Sequence, residues 1–295
     1  MAEIAASTAP ARRRASWTLA RIARLPLLPI LILGVLVLCA VFGNLIAPHD
    51  PTALNLAMSL KPPGWVEGGS WAYPLGTDNL GRDILSRIIA GARISVIVAL
   101  YAIVVSGGIG AIVGMTAGYF GKAVDAVIMR LVDIQMSVPA LALALVIATL
   151  LRPSLGTVLI VIAVTYWSWY ARIIRAEVIS LKQRDYVALA RIAGVSTPVI
   201  FLRHLLPNVM NTLLVLATLQ VGQVIIFEAS LSFFGLGIQN PDVSWGLMLA
   251  DARSYITVAW WAITMPGIAI MLTCLAANLF GDWMRDTFDP KRRQL

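Results

Sequence analysis

Long apolar runs, broken by short polar or Gly- and Pro-bearing connectors, dominate the order of residues along this chain. A helix needs roughly 20 apolar residues to cross a hydrocarbon layer about 30 Å thick. Runs of that kind occupy residues 26–47, 94–118, 134–151, 155–172, 209–233 and 258–280. They predict an all-α polytopic membrane protein with about six transmembrane helices. Only Arg152, Pro153 and Ser154 separate the third run from the fourth, which predicts a tight turn between antiparallel neighbours.

Composition agrees with this reading. The 295 residues are 59% hydrophobic and 13% charged, and mean hydropathy is +0.83, outside the range of ordinary soluble domains. The first run follows a basic leader, residues 1–25, with Arg12, Arg13, Arg14, Arg21 and Arg24. It is too long for a signal peptide's apolar region and is read as an uncleaved anchor. Of the 23 Lys and Arg residues, 17 fall on the side of the leader, the 119–133 and 172–208 connectors and the tail after Phe280. That bias predicts cytoplasmic termini, an outward-facing 48–93 segment and a 281–295 cytoplasmic tail. The net charge of +8 is thereby read as topology, with no nucleic acid as partner.

Ser106, Gly110, Gly114 and Gly118 recur every four residues and share one helix face, which predicts close approach of another helix backbone. The chain has no GxxxxGK[ST] segment, so it carries no recognisable ATP site. Cys39 and Cys274 lie in apolar runs and are read as small core residues, with no metal site.

One polar stretch stands apart. "DYVALARIAGVSTPVIFLRHLLPN", residues 185–208, predicts a helix from about Gln183 to Ala193, a cap at Gly194, and a short second helix entered through Thr197 and Pro198, with Pro207 ending it before the fifth span. From the residues alone, a basic connector held against lipid head groups and a docking element are equally acceptable.

Glu228 is the one acid read inside a span, and an intramembrane carboxylate is a functional candidate. Asp78, Arg82, Asp83 and Arg87 alternate in sign before the second span, and Asp83 with Arg87 at i,i+4 is read as a solvated, self-paired face. Asp125, Arg130 and Asp133 are placed at a cytoplasmic elbow. Tyr166, Trp167, Trp169 and Tyr170 are read as interfacial anchors at the inner end of the fourth span.

The 185–208 stretch resembles the cytoplasmic loop of ATP-binding-cassette importer permeases, matched at Asp185, Ala190, Gly194, Leu206 and Pro207, with Asp in place of Glu and Leu189 in place of the first Ala. "PLGTDNLGRDILSRIIAGARIS" (74–95), "DAVIMRLVDIQMSVPALALA" (125–144) and "EASLSFFGLGIQNPDVSWGLMLADAR" (228–253) resemble the second permease of the dipeptide, oligopeptide and nickel branch. The resemblance covers most of the chain apart from residues 1–25 and roughly 55–72.

It implies the type I importer permease fold, with a core over 94–280 and a coupling loop over 183–208. It implies a subunit without catalytic residues in a prokaryotic cytoplasmic (inner) membrane. A homologous second permease would form a hetero-dimer with it, two ATP-binding cassette subunits would hold ATP and Mg, and a substrate-binding protein would deliver solute. Coupling is implied for Asp185, Tyr186, Ala190, Arg191, Gly194, Arg203, His204, Leu206, Pro207 and Asn208. A gate or subunit contact is implied for Glu228, Ser232, Gly235 and Gly237, and binding-protein contact for Asp78, Arg82, Asp83, Arg87 and Trp245.

Two other classes remain open to a chain of this composition. An ion-driven secondary transporter would need several buried ionisable groups near the midplane. An intramembrane hydrolase would need a nucleophile and base together, whereas His49 and His204 are placed on opposite sides of the membrane.

Overall fold

The computed structural model describes residues 26–288, and the basic leader and the end of the tail lie outside the described residues. Nine helices organise them: α1 (Leu27–Ile46), α2 (Ile84–Phe120), α3 (Lys122–Ser137), α4 (Ala140–Leu150), α5 (Leu155–Leu181), α6 (Asp185–Ile192), α7 (Thr197–Phe233), α8 (Trp245–Ala252) and α9 (Trp260–Phe288). Five of these are long and apolar enough to cross a membrane, and α3 with α4 makes a sixth span if that bent pair is counted as one.

The expected six runs are present, but several of their limits differ from those read in the sequence. Helix α2 begins ten residues before its apolar run, because Asp83 caps it: its carboxylate accepts from the Ser86 N–H at 3.0 Å. The third run is bent by 88° rather than straight. Val138 takes an extended conformation ahead of Pro139, whose ring disfavours a helical residue before it. Helix α5 continues nine residues past Arg172, and α9 runs eight residues into the expected tail. Charged residues do not end these helices because the helices project beyond their apolar sections.

Pro207 was expected to interrupt the chain before the fifth span, and it does not. Helix α7 runs unbroken through it, with a wide π turn over Ile200–Leu205 immediately before. The widened turn shifts the hydrogen-bond register where Pro lacks an N–H, so the helix absorbs the residue.

Three apolar clusters hold the helices. The first joins α2, α4, α5 and α7 through Val98, Ala148, Val161, Ile162 and Phe227. A second joins α1, α2, α7, α8 and α9 through Leu36, Ile84, Ile225, Trp245 and Trp261. The third lies under α6, where Val187 meets Met115, Ile174, Val178, Ile200 and Leu205. The small-residue stripe of α2 packs on α5 as expected. A Cβ on Gly110 would lie 2.4 Å from the Tyr170 Cβ, and one on Gly114 would lie 2.5 Å from the Ala171 carbonyl oxygen.

The elbow assignment of Asp125 and Asp133 acquires partners. Arg175 of α5 donates to both carboxylate oxygens of Asp125, and Arg172 donates to Asp133, so two ion pairs strap α3 to α5. The reading of the aromatic cluster as anchors is corrected for Tyr166 and Tyr170, while Trp169 is exposed and Trp167 half-buried. With α5 extending to Leu181, Tyr166 and Tyr170 lie along the middle of the helix and are buried, Tyr166 edge-on against Phe227 at 5.3 Å between ring centres.

Candidate functional site

Residues 185–208 fold as a helix, a turn and the start of the long helix α7. Gly194 makes the turn. Its φ of +75° lies in the left-handed region, its N–H donates to the Arg191 carbonyl at 3.1 Å, and the Val195 N–H donates to the Ala190 carbonyl at 3.1 Å. This paired closure is the Schellman ending, which favours glycine for lack of a Cβ.

Below the turn, Val187, Ile200 and Leu205 anchor the element in the third cluster. Its other face is open. Leu189 is 64% exposed, Ile192 is 83% exposed, and Val199 and Leu202 are exposed beside them. Asp185, Arg191, Arg203, Pro207 and Asn208 are exposed, while Ala190, His204 and Leu206 are half-buried. Tyr186 tilts over His204 at 6.1 Å, and the Arg191 guanidinium sits 5.0 Å from the centre of the Tyr119 ring. Arg191 therefore braces α6 against the end of α2 as well as facing outward. The element thus sits on a buried apolar base and presents several exposed apolar side chains.

At the other end of the bundle the four alternating charges form no solvated face, which corrects that expectation. Asp83 does not pair with Arg87. Its carboxylate caps α2, accepts from the Ser86 hydroxyl at 2.5 Å and faces His49 Nδ1 at 3.4 Å. Arg82 donates to Asp78 at 2.6 Å, to Asp251 at 2.9 Å and to the Asn240 side chain at 3.2 Å. Arg87, 1% exposed, lies 3.4 Å from Asp78 and 3.5 Å from Asp251.

These charges compensate one another in the interior and pin the 48–83 segment and α8 to the start of α2. Trp245 is buried too, donating from its indole nitrogen to the Ile88 carbonyl at 2.9 Å. All five side chains expected at a binding-protein contact are therefore buried in this arrangement, and the charges face inward.

Glu228 is 1% exposed near the C-terminal end of α7 and accepts from the Ser232 hydroxyl at 2.7 Å. The Ser232 oxygen in turn accepts from the Ile238 N–H at 3.1 Å. Gly237 passes so near that a Cβ would come within 2.1 Å of that oxygen, and Gly235 closes α7 with φ +78°. The four residues expected at a gate or subunit contact are thus gathered at the end of α7, with Glu228, Ser232 and Gly237 buried and Gly235 exposed.

Sequence reasoning missed several partners. Asp251 and Asn240 are far from Arg82 along the chain and carried no local signal. Glu177, half-buried in α5 with one carboxylate oxygen unpartnered, was hidden by ending the fourth span at Arg172. Among the described residues no group of three or more His, Cys, Asp and Glu side chains is placed to hold a metal ion.

Comparison with known proteins adds an independent finding. Residues 110–294 match the profile of the family described as "Binding-protein-dependent transport system inner membrane component". The chain is 44% identical over 262 residues to a di/tripeptide transport system permease protein of Pseudomonas aeruginosa (strain UCBPP-PA14), covering 89% of this chain and 86% of that one. It is 40% identical over 268 residues to a dipeptide transport system permease protein of Haemophilus influenzae (strain ATCC 51907 / DSM 11121 / KW20 / Rd), covering 91% of each. It is 43% identical over 255 residues to a dipeptide transport system permease protein of Escherichia coli (strain K12), covering 86% of this chain and 85% of that one.

Proposed function

Because this chain belongs to the family of binding-protein-dependent transport system inner membrane components, we propose that it is one of a pair of permease subunits through which an ATP-driven importer passes short peptides. The pair consists of this chain and a homologous second permease. Two separate ATP-binding cassette subunits hold ATP and Mg, and a substrate-binding protein delivers the peptide. Peptide is favoured over nickel because the relatives named above are di- and tripeptide or dipeptide systems. The bias of Lys and Arg supports placing the 185–208 element and both termini on the cytoplasmic side.

The observation that carries the reading is the exposed apolar face of α6 on its buried base. In a chain that hydrolyses nothing, mechanical input has to arrive at a surface, and Leu189 and Ile192 offer one flanked by Asp185 and Arg203. Closure of the ATPase subunits would move α6. The packing of Val187 on Ile174, Val178 and Leu205 would pass that movement to α5 and α7, since packed interfaces rearrange between discrete states.

Two variants test this. Ile192→Asp introduces a charge into the covered face, so the yield of complex on co-purification with the ATPase subunits falls while membrane insertion is unchanged. Full complex yield together with ATP-dependent uptake would remove α6 as the docking surface. Gly194→Val forces a β-branched residue into the left-handed region at a cost of about 1–2 kcal/mol. It is expected to leave ATPase activity present but to reduce uptake per ATP hydrolysed, and an unchanged ratio would show that the turn transmits nothing. Uptake in proteoliposomes that follows an ion gradient without the ATPase subunits would replace the whole reading with secondary transport.

A further inference from the structure

The break between α3 and α4 opens a cavity of about 170 Å³ lined by Gln135, Met136, Ala140, Leu143, Thr165 and Trp169, among others. Its depth follows from helix length. The 11 residues of α4 separate the break from the Arg152–Ser154 turn, which at about 1.5 Å each places it about 16 Å below that face of the membrane. Thr165, across the cavity on α5, is a similar distance from the same turn. Both lie near the middle of a hydrocarbon layer about 30 Å thick.

A broken helix at that depth carries unpaired backbone groups. Pro139 starts α4 without any side-chain cap, and Ser137, Val138, Pro139 and Ala140 are exposed on the described chain. Lipid offers such groups no hydrogen bonds, so irregular backbone here faces either protein or a water-filled path. The second observation is Thr165. Its side chain is buried, lines the cavity, and its hydroxyl has no hydrogen-bond partner. Opposite it, Gln135 is fixed in place by donating from Nε2 to the carbonyls of Val164 and Thr165, the latter at 3.0 Å.

No Asp, Glu, Lys, Arg or His lines the cavity, so it suits a neutral hydrogen-bonding group and would disfavour a charged terminus. The volume is close to that of a cavity of about 150 Å³ that takes one benzene, which is room for a single peptide unit or side chain.

We propose that this cavity is a mid-membrane station for the amide backbone of the passing peptide, with the Thr165 hydroxyl donating to a peptide carbonyl. The free N–H groups of the first α4 turn offer further donors, and Met136, Leu143 and Trp169 receive the adjoining side chain. The station rests on the peptide-import reading given above.

The test uses the assembled transporter with its binding protein in proteoliposomes. Ala140→Cys, in a background carrying Cys39→Ala and Cys274→Ala, is treated with a membrane-impermeant, positively charged thiol reagent. The introduced thiol is expected to react and to be slowed by a dipeptide delivered in the presence of ATP. In parallel, Thr165→Val is expected to raise KM for dipeptide uptake about fivefold, the size of one lost hydrogen bond, with maximal uptake and ATPase rate retained. An unreactive thiol in the Ala140→Cys variant, or one that dipeptide leaves unprotected, overturns the station while the parent complex still transports. So does a Thr165→Val variant that lowers maximal uptake with KM unchanged. A parent complex with no ATP-dependent dipeptide uptake overturns the peptide reading itself, and the station falls with it.

Discussion

Gly110→Ala is expected to destabilise the protein by at least about 2 kcal/mol, although the same substitution in an ordinary helix interior stabilises by about 0.5–1 kcal/mol. The reason is geometric. The new methyl would sit 2.4 Å from the Tyr170 Cβ and 2.5 Å from the Trp167 carbonyl oxygen, and neither a backbone oxygen nor a Cβ can swing away as a side-chain tip does. Helices α2 and α5 would have to separate, losing contacts on both sides of the stripe. Gly108 lies two residues earlier on the same helix, and nothing lies within 4 Å of its would-be Cβ, so Gly108→Ala serves as the control. Thermal melting of the purified protein should show Gly110→Ala several degrees below the parent and Gly108→Ala at or slightly above it. Equal melting of the two would mean that the stripe does not set the helix separation.

That stripe was readable because a four-residue period of Ser and Gly has one physical use inside lipid, where small residues let helices approach. The cap at Gly194 was readable for a similar reason: a glycine at the end of a helical pattern, followed by Thr and Pro, specifies a left-handed ending and a new start. Both are local signals.

The features that went unread depend on contacts distant in the chain or on compensation within the fold. The start of α2 is read at the apolar run, beyond Arg87 and Arg93. Asp78 and Asp251 compensate the charge of Arg87, but Asp251 lies 164 residues away from it. The bend at Val138 and Pro139 was written in the sequence, yet the apolar character on either side masked it. Pro207 misled in the opposite direction, since a π turn took up the break that the residue alone would impose. The residues expected to dock are named by family likeness. Which of them face outward depends on the three-dimensional base beneath them.

The buried charges near the start of α2 should give the second large effect. Arg82, Arg87, Asp78 and Asp251 sum to zero charge, and Arg87 is almost wholly enclosed. Arg87→Met removes one cation and leaves two carboxylates sharing Arg82, and breaking a buried pair in this way costs about 3–5 kcal/mol. Asp78→Asn should be comparably severe, because the Asp78 carboxylate also accepts the N–H groups of Leu80 and Arg82, each at 2.9 Å. Asp251→Asn should be milder. Its side chain is 26% exposed, so water can take over part of its role toward the two arginines.

The decisive variant is the double, Arg87→Met with Asp251→Asn, which restores neutrality without restoring any bond. If compensation of charge dominates, the double variant melts above Arg87→Met alone. If individual hydrogen bonds dominate, the two losses add and it melts below. The packing of Trp245 on Gly91 and of Trp261 against Thr77 holds the same segments by other means. The fold can therefore persist at moderate temperature while charge is removed, and recovery in the double variant is the expected result.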